Sequence, residues 1–562
     1  PGASTITNVV PRTATTYGPM PTPTVYSGAL TARCIGSYTI RDTAKNVFVF
    51  AGDATKLYLL KAGSTSFVDV SGAVYTGSPW PDTQWALTSF GLRVVACNYN
   101  DATQTYLVGT DTLFSALGPT VVTTGDTHSN TTLDNLATTT NVFAGMSVSG
   151  GTFPAGTIVQ AVVSATAVTT SQAATGTASG QTITFTSSVP RAKFCEAVGD
   201  FIMLANTFDG TSGAQPQRVW WSAIGNPMHW PLPGSIPAIQ VQSDYQDLQQ
   251  TDLGQITGIA AGPNPTASAT IFCEHGVWTA AYVGSPAIFS FKVVDGAPGC
   301  VSPQSIIKGH INSGGTLVPV IYYRGANGFY AFNGTTSTPI GTNRFDRFII
   351  AQLDAQLSRT VLGGTDPANK LVFWLYSTAA STGLYDRMLV YNWDVNRASY
   401  VDLTDAKVEW ITETATIGYT LDELDAFGTM ETLPYSLDSE AWVGGTPRLG
   451  VFNSSHRLAY LTGANMAVTV ETPEVEPAPG KRVFVRNTRP LVDATGGSTA
   501  LGIRERTADS ITLKTAVAMN AMGECPQRYT GRYVKARFTF PASTSFTHIS
   551  GIEADVIQQG IR

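Results

Sequence analysis

The stretch 217–230, QRVWWSAIGNPMHW, carries three of the chain's ten tryptophans within fourteen positions. On a strand, Trp220 and Trp221 must point to opposite faces, because side chains alternate with a period of two. Large aromatics on both faces describe either a stacking platform for sugars or bases, or a strand packed on both sides. A platform needs several aromatic faces left in solvent on one surface. Trp220, Trp221, Trp230, Trp278, Trp374 and Trp393 instead fall in or beside runs that read as strands. We assign them to packing within and between blades of sheet, where large rings fill the wedge between neighbours. Ligand stacking and contact between subunits are the alternatives at these positions.

The grammar around this stretch recurs: Gly turn, apolar strand, Asn-aromatic pair, polar turn, second strand. SFGLRVVACNYNDATQTYLVGTDTLFSAL (89–117) can be laid over AVGDFIMLANTFDGTSGAQPQRVWWSAIGNPMHW (197–230), and related units occupy 46–70, 269–294, 319–341 and 370–403. Units of about 35–50 residues have the size of four-stranded propeller blades. The expectation is an all-β chain built on a β-propeller of about six blades; unrelated hairpins are the alternative. Helical periodicity is nearly absent, with 345–359 (FDRFIIAQLDAQLSR) the best candidate and 420–433 (TLDELDAFGTMETL) a weaker one.

Length and composition agree. At 562 residues the chain is too long for one ordinary core. Only 13% of residues are charged, against roughly a quarter in average domains, which suits strands and turns rather than disorder. A net charge of −6 is no basic nucleic-acid footprint. No run of about 18 apolar residues suggests a membrane span, and the opening PGAST shows no signal peptide. Residues 1–29 read as an N-terminal arm and 30–118 as the first blades. Residues 119–189, rich in Thr, Ser, Ala and Val without Trp or Tyr, read as an inserted small β-sandwich module. The remaining blades fill 190–470. After the Pro/Glu-rich 471–482, residues 471–562 form a β-rich platform, with packing against the N-terminal arm open to it.

Chemistry-bearing motifs are scarce. GxSxG, HExxH, P-loop and GxGxxG patterns are missing from the sequence. Asp244, Asp247 and Asp252, or Asp422, Glu423 and Asp425, could supply a glycosidase pair, but that needs two carboxyls about 5–10 Å apart. Proximity in sequence is not such a geometry, and both groups read as solvated turns. Cys34, Cys97, Cys195, Cys273, Cys300 and Cys525 lie far apart without CxxC spacing. They read as buried free thiols rather than a disulfide framework. No metal and no cofactor is expected, because the histidines never form a ligand-type pair.

Several phrases together carry a resemblance: QRVWWSAIGNPMHW, GVWTAAYVGSPAIFSFKVVDGAPGCVSPQSI (276–306), GANGFYAFNGTTSTPIGTNRFDRF (325–348), SLDSEAWVGGTPRLGVF (436–452) and the closing 527–562. In their order and spread over 190–562, with a weaker echo in 30–118, they resemble the tail nozzle proteins of short-tailed bacteriophages, also called tail tubular or packaged-DNA stabilisation proteins. The insertion at 119–189 departs from a minimal nozzle. The resemblance implies a propeller joined to a β-rich platform, assembled as a homohexameric ring below the portal and head-to-tail adaptor. It implies a virion protein assembled in the bacterial cytoplasm, next to tail fibre, spike or tail-tip proteins. Double-stranded DNA would pass through its bore without sequence-specific binding, and no residue would do covalent chemistry, so no enzyme is expected. No motif marks the gate.

The slight acidity fits such a conduit, because each phosphate neutralised by Lys or Arg adds salt-dependent grip. Arg482, Arg486, Arg489, Arg532 and Arg537, with Arg504 and Arg506, are candidates for pairing with acidic groups on neighbouring subunits or the adaptor; solvated strand faces are the plainer reading. Two further functions compete with the nozzle. One is a secreted propeller that binds or cleaves glycans, the other a peripheral receptor-binding or baseplate-type phage protein without a bore.

Overall fold

The alternating runs form antiparallel meanders. The protein is described here from a computed structural model covering residues 3–61, 64–77, 83–264, 267–381, 383–417 and 444–560. Among the described residues, blades one to five are separate four-stranded sheets whose innermost strands are Gly36–Arg41, Ala86–Phe90, Arg191–Val198, Ile256–Asn264 and Ile307–Ser313. Blade six, Leu362–Asp366 to Arg397–Asp402, continues into a larger sheet. Blade seven runs from Val408–Ile417 through Gly444–Asn453 and Arg457–Asn465, and its outermost strand is Pro21–Ala29 from the other end of the chain. Its innermost strand lies against that of blade one, so the ring closes. The all-β propeller is therefore the fold, with seven blades where the sequence shows six units. The seventh is composite, and no single stretch displays it.

Trp220 and Trp221 show how the blades pack. Both lie on Gly213–Trp221 of blade three and are almost fully buried. Trp220 faces blade two, in a cluster with Val95, Cys97 and Leu117. Trp221 faces blade four, where its ring meets Phe289 edge-on at 5.2 Å and its indole N–H donates to Gln242 O at 3.0 Å. Trp374 and Trp393 fill the cluster shared by blades five and six, and Trp278 packs half-buried beside Trp221. The six cysteines are free and buried. Of the two helical candidates, 345–359 yields the short helix Asp346–Gln352, while 420–433 lies outside the described residues. No helix among the described residues is long and apolar enough to cross a membrane.

The insertion is one six-stranded sheet, Thr120–Thr127 to Ala178–Thr186, whose two ends meet. Val148 N donates to Thr157 O and Val159 N to Met146 O, both at 2.8 Å, around a separate core that includes Leu133, Val168, Ile183 and Phe185. It docks on the end of the opening stretch. The His229 ring stacks on Phe143 at 5.0 Å and its Nε2–H donates to Ala144 O at 2.7 Å. Burial lowers the His229 pKa, which keeps the ring neutral for this contact. Trp230 O accepts from Ser188 N at 3.2 Å, closing the exit of the module.

The platform is two facing sheets made from both termini. Thr5–Thr7 pairs in parallel with Arg397–Asp402 of blade six and antiparallel with Val468–Glu471, which continues into Tyr533–Phe540 and Ser498–Arg504. The second sheet holds Val9–Pro11, Tyr17–Pro19, Ile549–Gln558, Val483–Val492 and Cys525–Gly531. Val9, Val468, Val470, Phe538 and Phe540 fill the space between them.

Two consequences are testable. Trp220→Ala and Trp221→Ala should each lower stability by about 3–5 kcal/mol, the usual cost of truncating a buried large aromatic; urea unfolding that matches the parent would contradict their packing role. His229→Ala should leave the propeller's own unfolding transition in place while speeding limited proteolysis within 119–189.

Candidate functional site: the axial funnel and channel

At one end of the ring axis, the loops leading into the innermost strands of blades two, four, five and six surround a funnel of about 400 Å³. Amides dominate its wall, with Asn98, Asn100, Asn206, Gln255, Gln304 and Gln356 all contributing. The blade-two turn is rigid. Asn98 and Asp101 exchange hydrogen bonds at 2.8 and 2.9 Å, and the Asp101 carboxylate also accepts from the Thr76 hydroxyl at 2.7 Å. This holds Tyr99 at a φ of 70°, left-handed backbone that a bulky residue adopts only under constraint. Tyr99 N donates to Ala192 O at 2.8 Å, and its ring sits edge-on to Phe208 at 6.4 Å.

Two cations reach this funnel on different terms. Arg359 is tied to Glu274 at 3.3 Å, and Gln255 Nε2 donates to the same oxygen at 3.1 Å. Burial pushes Glu274 up, but Gln255 and Arg359 outweigh it and hold the carboxyl below its ordinary value. The Lys193 ammonium instead sits 5.2 Å from the Tyr99 ring centroid. Burial lowers its pKa, and the charge of Glu274 only partly opposes this.

Farther along the axis a chamber of about 200 Å³ is lined by Ser37, Phe194, Glu196, Gln304, Lys308 and Trp410. Lys308 forms an ion pair with Glu196, which also accepts from Ala261 N at 3.2 Å. Glu413, on the innermost strand of blade seven, accepts from Thr365 N at 3.0 Å. Its side chain is open to water at one side, and desolvation by the surrounding protein pushes its pKa up to about 7 against the pull of Thr365 N–H and Lys308.

The carboxylates singled out in the sequence lie elsewhere. Asp247 is engaged by the Arg218 fork at 2.6 and 2.9 Å, and Asp209 takes a third bond from the same guanidinium at 3.1 Å. Asp244 shares an open surface hollow with Asp247, while Asp252 sits in a short 3₁₀ turn, Thr251–Leu253. Asp422, Glu423 and Asp425 lie outside the described residues. Among the platform arginines, Arg482 pairs with Glu505 at 2.6 Å, Arg486 with Asp555 at 2.6 Å and Arg537 with Glu471 at 2.7 Å. Arg504 binds Glu474 at 2.6 and 2.7 Å, and Arg489 stands opposite Glu553 in register. The acidic partners sought on a neighbouring subunit are, for Arg482, Arg486, Arg504 and Arg537, supplied by this chain. Arg532 closes a strand turn, its N–H donating to Arg504 O at 3.2 Å. Among the described residues no three His, Cys, Asp or Glu side chains converge as a metal site.

No protein-family model matches the chain, and no curated protein matches it in sequence. Solved structures do match in arrangement. YCF48 bound to D1 peptide is 8% identical with a TM-score of 0.33, over 78% of this chain and 94% of that one. The WD40 domain of Toxoplasma gondii coronin is 6% identical with a TM-score of 0.29, over 78% and 87%. The exo-β-1,3-galactanase of Phanerochaete chrysosporium, with β-1,3-galactotriose, is 8% identical with a TM-score of 0.23, over 95% and 100%. At such scores the propeller assignment rests on the strand pairing described above. One expectation is corrected by these matches. The chain was expected not to be an enzyme, yet glycoside hydrolases stand among the proteins of similar arrangement. A fold does not itself decide function, so this architecture gives no ground for excluding catalysis.

Because the Glu413 pKa is raised from 4.5 to about 7 in the folded chain, the folded state binds the extra proton. Stability from this group is full below pH 4.5 and is lost as pH rises through 7. Glu413→Gln should therefore gain urea resistance relative to the parent at pH 8 but not at pH 4.5. An equal difference at both pH values would contradict the raised pKa.

Proposed function

We propose that the chain is the nozzle subunit of a short bacteriophage tail, a structural virion protein that forms a ring below the portal and adaptor, closes the genome channel and conducts DNA during ejection. The phrases quoted from 190–562 suggest it, and one architectural observation supports it. Both chain ends are woven into a platform that shares a continuous sheet with blade six. Asn8 N donates to Tyr400 O at 2.9 Å, the Ser399 hydroxyl to Val9 O at 2.6 Å and Asn392 Nδ2 to Pro11 O at 3.0 Å. Propeller and platform thus form one body joined by paired strands, which suits a part that must bear load without a hinge. Ring neighbours would be further copies of the chain, with the adaptor above and fibre or tail-tip proteins beside or below.

Electron microscopy of the chain assembled with its adaptor tests this reading. Six-fold rings on the tail axis, with a bore poor in Lys and Arg, are the expected outcome. A chain that stays monomeric with the adaptor, or that lies off the axis in the virion, would sink the proposal.

A second reading, a propeller that binds or cleaves glycans, is favoured by one observation. The axial funnel carries amide and cationic side chains suited to hydroxyl-rich ligands, over a chamber that holds Glu196 and Lys308. Retention of the chain on a polysaccharide matrix, reversed by soluble sugar, is what this reading requires.

A further inference from the structure

We propose that the axial funnel binds a sugar acid, a polyhydroxylated ring bearing a carboxylate, with the carboxylate held by Lys193 and ring hydroxyls by Gln84 and Gln304. The inference rests on the glycan-binding reading and names the ligand within it.

The charge comes first. Lys193 lines the funnel, and among the described residues the acidic group that acts on it is Glu274, already engaged by Arg359 and Gln255. Among the described residues Lys193 forms no ion pair, and its aromatic neighbour Tyr99 offers only a ring face. Lys193 is exposed within the funnel, so an incoming anion can reach its ammonium without first displacing a carboxylate. With Arg359 neutralised by Glu274, the funnel offers about one net positive charge, which matches a carboxylate better than a doubly charged phosphate monoester.

Hydroxyl recognition comes second. The Gln84 and Gln304 side chains are half-buried in the funnel wall and hydrogen-bond to no described residue, so each amide keeps donor and acceptor available. Of the other funnel amides, Asn206 Nδ2 donates to Ile256 O at 3.0 Å, Asn100 Nδ2 to Thr76 O at 3.3 Å, and Asn98 and Gln255 bond to carboxylates, while the Gln356 side chain is exposed rather than set in the wall. The contrast singles out the two glutamines. Shape comes third. A cavity of about 400 Å³ falls in the usual range for small-molecule sites, about 300–1,000 Å³. With Lys193 over one face of Tyr99 and Phe208 at its edge, the ring is poorly placed to stack a base.

Isothermal titration of the full chain with galacturonic acid, galactose and inorganic phosphate decides the matter. Galacturonate should bind at about millimolar affinity or tighter, and galactose about tenfold more weakly, the usual size of one charge-assisted hydrogen bond. Lys193→Met should erase that difference, and Gln304→Leu should weaken both sugars, with thermal melts confirming that each variant is folded. The selectivity of the unmodified chain is a test that needs no variant. Equal affinity for the two sugars would overturn the sugar-acid assignment and leave glycan binding standing. Binding of neither sugar would overturn both. Phosphate binding tighter than galacturonate would replace the sugar acid with a simple anion.

Discussion

The strand Pro21–Ala29 is the constraint on which the rest of the structure depends. A blade buries its faces only against its neighbours, so an open array would leave blades one and seven each with an uncovered face, as in other repeat proteins. Pairing of Pro21–Ala29 with Arg457–Asn465 completes blade seven with chain that leads directly into blade one. Leu458 N donates to the Ser27 hydroxyl at 3.0 Å, Leu30 N to His456 O at 3.0 Å, and the Tyr26 ring meets Tyr460 edge-on at 5.2 Å. Pro21 and Pro23 suit this outermost position, where a missing N–H costs no ladder bond and discourages addition of another strand. Upstream of it in the same N-terminal segment, Thr5–Thr7 joins blade six to the platform, so the first 29 residues both close the ring and couple it to its neighbour.

Charged groups fall into two populations around this frame. At the seams, buried carboxylates are fully engaged. Glu409 accepts from His456 Nδ1 at 2.8 and 2.9 Å and from Cys34 N at 3.3 Å, joining blade seven to the start of blade one. Glu471 is pushed up by burial but held below its ordinary value by Lys535 and Arg537. Along the axis the balance is reversed. Glu413 has one backbone donor and a raised pKa, and Lys193 has no carboxylate of its own. Both side chains stay open to solvent, whereas the seam carboxylates Glu409 and Glu471 are buried and paired.

Much of the propeller was legible in the sequence because alternation and Gly/Asn punctuation are local. The facing of Trp220 and Trp221 follows from the period of two, and the insertion shows in its loss of Trp and Tyr. Blade seven was not legible, since its strands are 379 residues apart between Ala29 and Val408, and pairing over that distance leaves no local pattern. The axial site was hidden for the same reason. Gln84, Lys193, Lys308 and Glu413 come from five-residue neighbourhoods with no shared motif, and only ring closure brings them to one axis. The Asn-aromatic pair at 98–99 was visible as a repeat feature, but its strained φ and its place in the funnel belong to the tertiary structure. At the platform arginines a local surplus of charge left an outside partner and a solvated strand face both open, and the structure adds acids of this chain beside Arg482, Arg486, Arg504 and Arg537.

The proposed nozzle and the axial site would not compete for the same space. A chamber of about 200 Å³ walled by the innermost strands cannot admit a duplex whose major groove alone is about 12 Å wide. In a ring of copies the genome would therefore run between subunits, not through any one propeller. Each propeller axis is then free of the demand for a smooth, weakly gripping wall, and can keep an unpaired lysine that a DNA conduit would not tolerate. The same division explains why a low overall charge and a locally cationic funnel can coexist in one chain. Under the proposed nozzle reading the bore and the funnel would be different surfaces, and the charge of each would follow from what must pass along it or stay.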